Sequence, residues 1–292
     1  MPIIKRPVWQ TFLLFVLLVS LMDAVGAPAP GREPDIEAAV CGSVREPLMF
    51  WLWQRAAGGP DASRTAHIGA IERVDFQARD GTRLGGYRLI APSPKGYLLV
   101  ALGNAMLADQ VVGDLQVFRD QGLDVYVFDY RGYGMSDGKS RLAAIVADYL
   151  ELVRHLNAQG YVRRMLYGLS MGGVVLLNAV GRGESPAGGA SKVFDALTVD
   201  SSPSRISDLG CPEAYDPVRH LPQDSARIQI IVGARDRVVP PEQTEELARV
   251  AAARGARVFR HPELSHPYQD NSRELHRTRQ AEVARFLGSH LE

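Results

Sequence analysis

Neither sign of charge dominates this 292-residue chain, in which 33 Lys and Arg stand against 33 Asp and Glu. A surface that binds nucleic acid needs an excess of basic residues, and none is present to mark one. Cysteine is scarce: Cys41 and Cys211 are the only two, and neither has neighbours at metal-ligand spacing. One disulfide in an oxidising compartment and two buried thiols both agree with that pair. Repeats, low-complexity tracts and strong charge runs are missing as well. The length suffices for one large α/β domain, or two small ones, around a substantial core.

Long apolar runs are also lacking. The longest candidate extends from Phe12 to Met22 and ends at Asp23, short of the roughly 20 residues that a membrane span needs. Lys5 and Arg6 precede it, and Val25-Gly26-Ala27 follows ahead of Pro28. Charged, apolar and small-residue regions in that order predict a secretory signal peptide over residues 1–27, cleaved after Ala27, with an uncleaved anchor as the alternative. The expected location is therefore outside the cytoplasm, in periplasm or medium, with membrane proximity through this segment if it is retained.

Residues 28–69 read as an irregular arm broken by Pro28, Pro30, Pro34, Pro47 and Pro60. Inside it, Leu48-Met49-Phe50-Trp51-Leu52-Trp53 is strongly apolar and is expected to pack on the body of the domain, a lipid-surface or acyl-binding role being the alternative. Two β-leaning segments, 71–78 and 82–90, flank an Asp80-Gly81 hairpin turn. Strand and helix then alternate, the pattern that builds a parallel sheet. Strands are expected at 97–102, 125–128, 162–167, 193–199, 227–232 and 257–259, and helices at 108–120, 142–157, 174–180, 242–254 and 272–287. Pro203, Pro212, Pro217 and Pro222 leave the 201–226 connection room for only a small cap. The main domain would span residues 70–292.

Gly168-Leu169-Ser170-Met171-Gly172 joins the 162–167 strand to the helix behind it. A serine hydroxyl is a poor nucleophile at neutral pH and needs a strained, exposed turn within reach of a base. The two glycines fit such a turn, where the helix starts almost on top of the strand. Ligands of open parallel sheets bind at the carboxyl ends of the strands. Ser170, Asp236 and His266 each lie just beyond one such end, in the order serine, acid, histidine. His261 directly follows its strand and is the weaker candidate base, while Asp200 is the alternative acid. His67, His155, His220, His276 and His290 read as surface or packing residues.

Asp129-Tyr130-Arg131-Gly132-Tyr133-Gly134-Met135-Ser136 follows the 125–128 strand. Together with the elbow and the later acid and histidine loops, it makes residues 70–290 resemble the α/β-hydrolases, in the esterase- and peptidase-like branch. The resemblance implies an eight-stranded, mostly parallel sheet flanked by helices with a small cap insertion. It also implies that Ser170 attacks an acyl carbonyl, His266 moves its proton, and Asp236 orients the imidazole. The implied oxyanion donors are the backbone N–H groups of Met171 and of Asn104, in Leu102-Gly103-Asn104-Ala105, with Asp129 and Arg131 bracing the surrounding loops. Leu102 stands where the family usually has histidine.

The expected activity is hydrolysis of a small-molecule carboxylic ester through an acyl-enzyme, with no metal or organic cofactor. Thioesters, a peptidase or amidase of the same fold, and a catalytically weak binding protein are the alternatives.

Overall fold

The structure, a computed structural model, describes residues 36–183 and 193–291. The expected signal peptide, residues 1–27, lies outside them. Eight strands form one sheet: β1 (Ile71–Gln77), β2 (Arg83–Leu89), β3 (Gly96–Ala101), β4 (Leu123–Phe128), β5 (Arg163–Leu169), β6 (Ala196–Asp200), β7 (Ile228–Gly233) and β8 (Arg257–His261). Their spatial order is β1-β2-β4-β3-β5-β6-β7-β8, and only β2 pairs antiparallel to its neighbours. The eight expected strands are all present, with ends shifted by at most three residues. β3, β4, β6 and β7 are buried along their whole length, because helices cover both faces of a parallel sheet. The edge strands β1 and β8 are partly exposed.

The helices are α1 (Arg45–Ala57), α2 (Ala108–Val111), α3 (Gln116–Arg119), α4 (Leu142–Asn157), α5 (Met171–Gly183), α6 (Pro241–Ala253) and α7 (Arg273–Gly288). Two of these correct the sequence reading. The arm over 28–69 is not irregular throughout, since α1 occupies its middle. Pro47 sits in the first turn of α1, where an N–H has no intrahelical acceptor, so it starts the helix instead of breaking it. Glu46 lies in that first turn, Arg55 in the last, and Gly58 closes the helix at φ 78°. The single helix expected over 108–120 is three short pieces: α2, a 3-10 turn Val112–Leu115, and α3. Val111, Val112 and Gly113 at its centre are poor helix formers, and the tight turn keeps Val112 and Leu115 in the core.

Three ties hold α1 to the body. Glu46 is buried and accepts the N–H of Leu142 at the start of α4 (2.8 Å) and that of Cys41 (2.6 Å). Phe50 is buried in the core of the domain with Trp53 of the same helix edge-on to it at 5.3 Å, while Trp51 faces solvent. Cys41 and Cys211 form a disulfide across a separation of 170 residues. It resolves the open choice about the two thiols and pins the arm to the 201–226 connection. That connection holds three 3-10 turns, Ser207–Leu209, Glu213–Tyr215 and Pro217–His220. Asn178 of α5 donates to the Tyr215 carbonyl (2.9 Å), anchoring the segment on the helix behind the elbow. Among the described residues, no helix is long and apolar enough to cross a membrane.

A cross-link that closes so long a loop stabilises chiefly by restricting the unfolded chain. Replacing Cys41 and Cys211 together by serine is expected to lower the unfolding free energy by about 2–5 kcal/mol in denaturant melts. Wild-type protein melted with a reductant should superimpose on the double variant.

Candidate active site

Ser170 follows β5 directly and opens α5 with φ at 54°, in the left-handed region. For a residue with a Cβ, that conformation costs on the order of 1–3 kcal/mol and persists only where the surroundings enforce it. The enforcement is visible. The Ser170 N–H donates to the Asp200 carbonyl (2.8 Å), and the Ser170 carbonyl accepts from Gly173 N–H (3.0 Å) and Ser202 Oγ (2.6 Å). A Cβ at Gly168 would stand 2.6 Å from the Gly173 backbone, and one at Gly172 would strike the Ala101 carbonyl. Both motif glycines are therefore required by the close crossing of helix and strand.

Asp236 lies three residues past β7 and His266 five past β8. They meet, with His266 Nδ1 2.8 Å from Asp236 Oδ2. The other Asp236 oxygen accepts the N–H groups of Val238 and Val239, both at 2.9 Å. Burial pushes the Asp236 carboxyl up, but the His266 hydrogen bond and charge, with the two amides, outweigh it and hold the group below its ordinary value. An Nδ1–H directed at a carboxylate fixes the neutral imidazole in the tautomer whose Nε2 accepts a proton. Both rings of constraint converge on buried groups, since Ser170 and His266 are only 6% and 8% exposed. Among the described residues no hydrogen bond joins Ser170 Oγ to His266. The contact between histidine and acid is formed, and the serine lies at the same end of the sheet.

The two weaker candidates are occupied elsewhere. His261 is the last residue of β8, and its Nδ1 accepts the Glu263 N–H (3.2 Å). Asp200 ends β6, where its carboxylate takes Arg279 Nη1 (2.5 Å) and Tyr167 Oη (3.0 Å).

The turn after β3 passes beside the elbow. A Cβ on Gly103 would lie 3.5 Å from the Ser170 Cβ. Ala105 takes φ 56°, which turns the chain back towards α2. Neither the Asn104 nor the Met171 N–H donates to an acceptor among the described residues. The Asn104 side-chain oxygen is buried without a partner, an unmet acceptor of the kind that water or a ligand satisfies. Leu102 is fully buried, and Tyr130 Oη donates to its carbonyl at 2.5 Å. A tyrosine from the Asp129–Ser136 stretch therefore supports this turn in the absence of the histidine.

Asp129 joins the same two loops. Its carboxylate accepts Ala108 N–H (2.7 Å) and Met135 N–H (2.9 Å), tying the start of α2 to the stretch after β4. Arg131 is buried between Asp148 of α4 (2.7 Å) and Asp80 of the β1–β2 turn (2.9 Å). Among the described residues, no group of three or more His, Cys, Asp or Glu side chains is arranged to hold a metal ion.

Sequence reasoning missed Arg279. This α7 residue is 1% exposed and donates to Asp200 (2.5 Å), to both oxygens of Asp270 (3.0 Å) and to the Ser265 carbonyl (2.5 Å). Asp270 in turn accepts the Ser265 N–H (2.9 Å), so the loop carrying His266 is clasped from below. An arginine on a polar helix carries no sequence signal for this. Only the fold places it under β6.

The fold has counterparts in known proteins. A family model described as "Serine aminopeptidase, S33" matches residues 92–193, from β3 to the end of α5. Over 203 residues the chain is 28% identical to the Escherichia coli K12 protein YfhR, itself described as uncharacterized, covering 62% of this chain and 69% of that one. The Pyrococcus furiosus esterase Pf2001 superposes with a TM-score of 0.59 at 17% identity, over 76% of this chain and 93% of the esterase. Est1E of Butyrivibrio proteoclasticus, solved with ferulic acid bound, superposes with a TM-score of 0.58 at 16% identity, over 74% of this chain and 98% of the other. The chain has the α/β-hydrolase fold.

Two outcomes follow from the charges of this site. Asp236 has a folded pKa below its ordinary 3.8, so its contribution to stability is present above that value and is lost as pH falls through the lower, folded one. The stability difference between wild type and Asp236→Asn, followed by urea melts from pH 7 downward, should stay constant to about pH 5 and shrink below about 4. Arg279→Met strands two buried carboxylates and should cost about 3–5 kcal/mol in the same melts.

Proposed function

We propose that this α/β-hydrolase is an exported serine hydrolase that cleaves carboxylic esters, with Ser170 as nucleophile, His266 as general base and acid, and Asp236 as orienting acid. The observation that carries the reading is the buried His266–Asp236 hydrogen bond of 2.8 Å, formed at the end of the sheet where Ser170 is held in a left-handed turn. In this mechanism Ser170 Oγ attacks the acyl carbonyl while its proton passes to His266 Nε2. The N–H groups of Met171 and Asn104 receive the developing oxyanion. As the ester C–O bond breaks, the Nε2 proton goes to the leaving alkoxide, and an acyl-serine remains. Water then attacks it, giving its proton to Nε2, and as the bond to Oγ breaks Nε2 returns a proton to Ser170, releasing the acid. No metal or organic cofactor enters these steps.

The Cys41–Cys211 disulfide supports export, because such bonds persist in oxidising compartments. A second reading is a peptidase acting near an amino terminus, favoured by the aminopeptidase description of the matching family model. Short-chain nitrophenyl esters and aminoacyl amides separate the two, the ester reading requiring the higher kcat/KM on esters.

A fluorophosphonate probe should label the purified protein covalently and label Ser170→Ala not at all. Ester turnover in that variant should fall by roughly 10⁴-fold or more. A folded wild-type protein that resists the probe would count against any serine hydrolase and favour a binding role.

A further inference from the structure

Beside His266 the surface opens into a cleft of about 610 Å³, whose eight lining residues include His266, Asp236, Arg235, Arg237, Gln269 and Asn271. Ser170 does not line it, so the cleft lies on the histidine's side of the site. Seven of those eight residues are polar or charged, Ala234 being the exception, which suits a polar group far better than an alkyl chain.

The charges around the cleft do not cancel. The Asp236 carboxylate is spent on His266 and the Val238 and Val239 amides. Arg235 faces Glu263 at 3.6 Å. Asp270, beneath the loop, is taken by Arg279 and the Ser265 N–H. Arg237 is exposed and has no hydrogen bond or ion pair with any described residue. It is an uncommitted cation one residue from the acid, on the wall of the cleft that also holds the histidine.

The mechanism assigns this side of the site. A histidine that protonates the leaving oxygen must lie next to that oxygen, so the alcohol portion of an ester extends from there past the imidazole, and a cleft that His266 lines is within its reach. Resting on the ester reading above, we propose that the cleft is a leaving-group subsite for an oxyanionic group, carboxylate or phosphate, which pairs with Arg237. Preferred substrates are then esters of an anionic alcohol or phenol, with acyl chains directed elsewhere. Gln269 and Asn271 supply neutral hydrogen-bonding groups to the same space, and the guanidinium supplies the charge that discriminates.

Matched esters test this: 4-carboxyphenyl acetate, 4-phosphonooxyphenyl acetate and the neutral 4-carbamoylphenyl acetate. For each protein the ratio of kcat/KM on an anionic ester to that on the carbamoyl ester is compared between wild type and variant, which cancels the intrinsic reactivities of the phenols. Arg237→Gln should lower the ratio about two- to fivefold, the range for a single exposed charge pair, and Arg237→Glu should lower it further. Added salt should shrink the wild-type ratio. Arg73→Gln, an exposed arginine on the far edge strand β1, should leave it in place. Whether the carboxylate or the phosphate ester shows the larger drop identifies which oxyanion the subsite prefers. A ratio that does not move in Arg237→Gln and Arg237→Glu, while the carbamoyl ester is still hydrolysed through Ser170, overturns the subsite and leaves the ester reading standing. Wild-type protein that hydrolyses none of the three overturns both.

Discussion

One buried guanidinium joins the two halves of the candidate site. Arg279 sits beneath the carboxyl end of the sheet and grips Asp200 on one side and the Ser265–Asp270 loop on the other. Asp200 is also the residue whose carbonyl takes the Ser170 N–H. The elbow and the histidine loop are therefore two branches of one hydrogen-bonded junction. The side chains of Arg279, Asp200 and Asp270 are each 1% exposed or less. Three ionisable groups removed from water cost several kcal/mol each unless every one is paired, and here each is paired more than once. A junction of that kind tolerates few geometries, which is how a loop with little regular structure can hold an imidazole in a set orientation.

A comparable economy governs the other side of the elbow. Asp129 and Tyr130 are consecutive, and they hold the start of α2 and the turn after β3 respectively. Because Tyr130 bonds a backbone carbonyl, the identity of the side chain at Leu102 is free to be apolar. Leu102 has joined the core, and the turn has kept its support. Loss of a familiar side chain need not mean loss of the local geometry when the hydrogen bond that matters is made by the main chain.

The sheet and the elbow were legible in the sequence for a physical reason. Buried parallel strands are short, mostly apolar runs bounded by glycine, proline and polar residues, and β3, β4, β6 and β7 are runs of that kind. The glycines at 168 and 172 mark a backbone crossing that no other residue permits. The acid and histidine could be placed because strand ends are where a parallel sheet exposes its functional side chains. α1 was not legible, since Pro47 reads as a breaker unless its position in the first turn is known. The segment 108–120 kept its apolar period and lost its regularity to Val111, Val112 and Gly113. Arg279 and the pairing of Cys41 with Cys211 depend on contacts between distant parts of the chain, and nothing local announces such contacts.

The disulfide has a topological side. Residues 41–211 form a closed covalent ring that contains Ser170, Asn104 and Met171, whereas Asp236, His266 and Arg279 belong to a tail outside it. The ring can close as soon as Cys211 has been made, before β7, β8 and α7 exist. The half of the site that holds Ser170 is thus a permanent loop of chain, and the half that holds Asp236 and His266 is appended afterwards by non-covalent contacts alone. A backbone cut between residues 211 and 236 would release the acid and the histidine together from every covalent tie to the serine, with only strand pairing and the Arg279 junction left to hold the two halves in register.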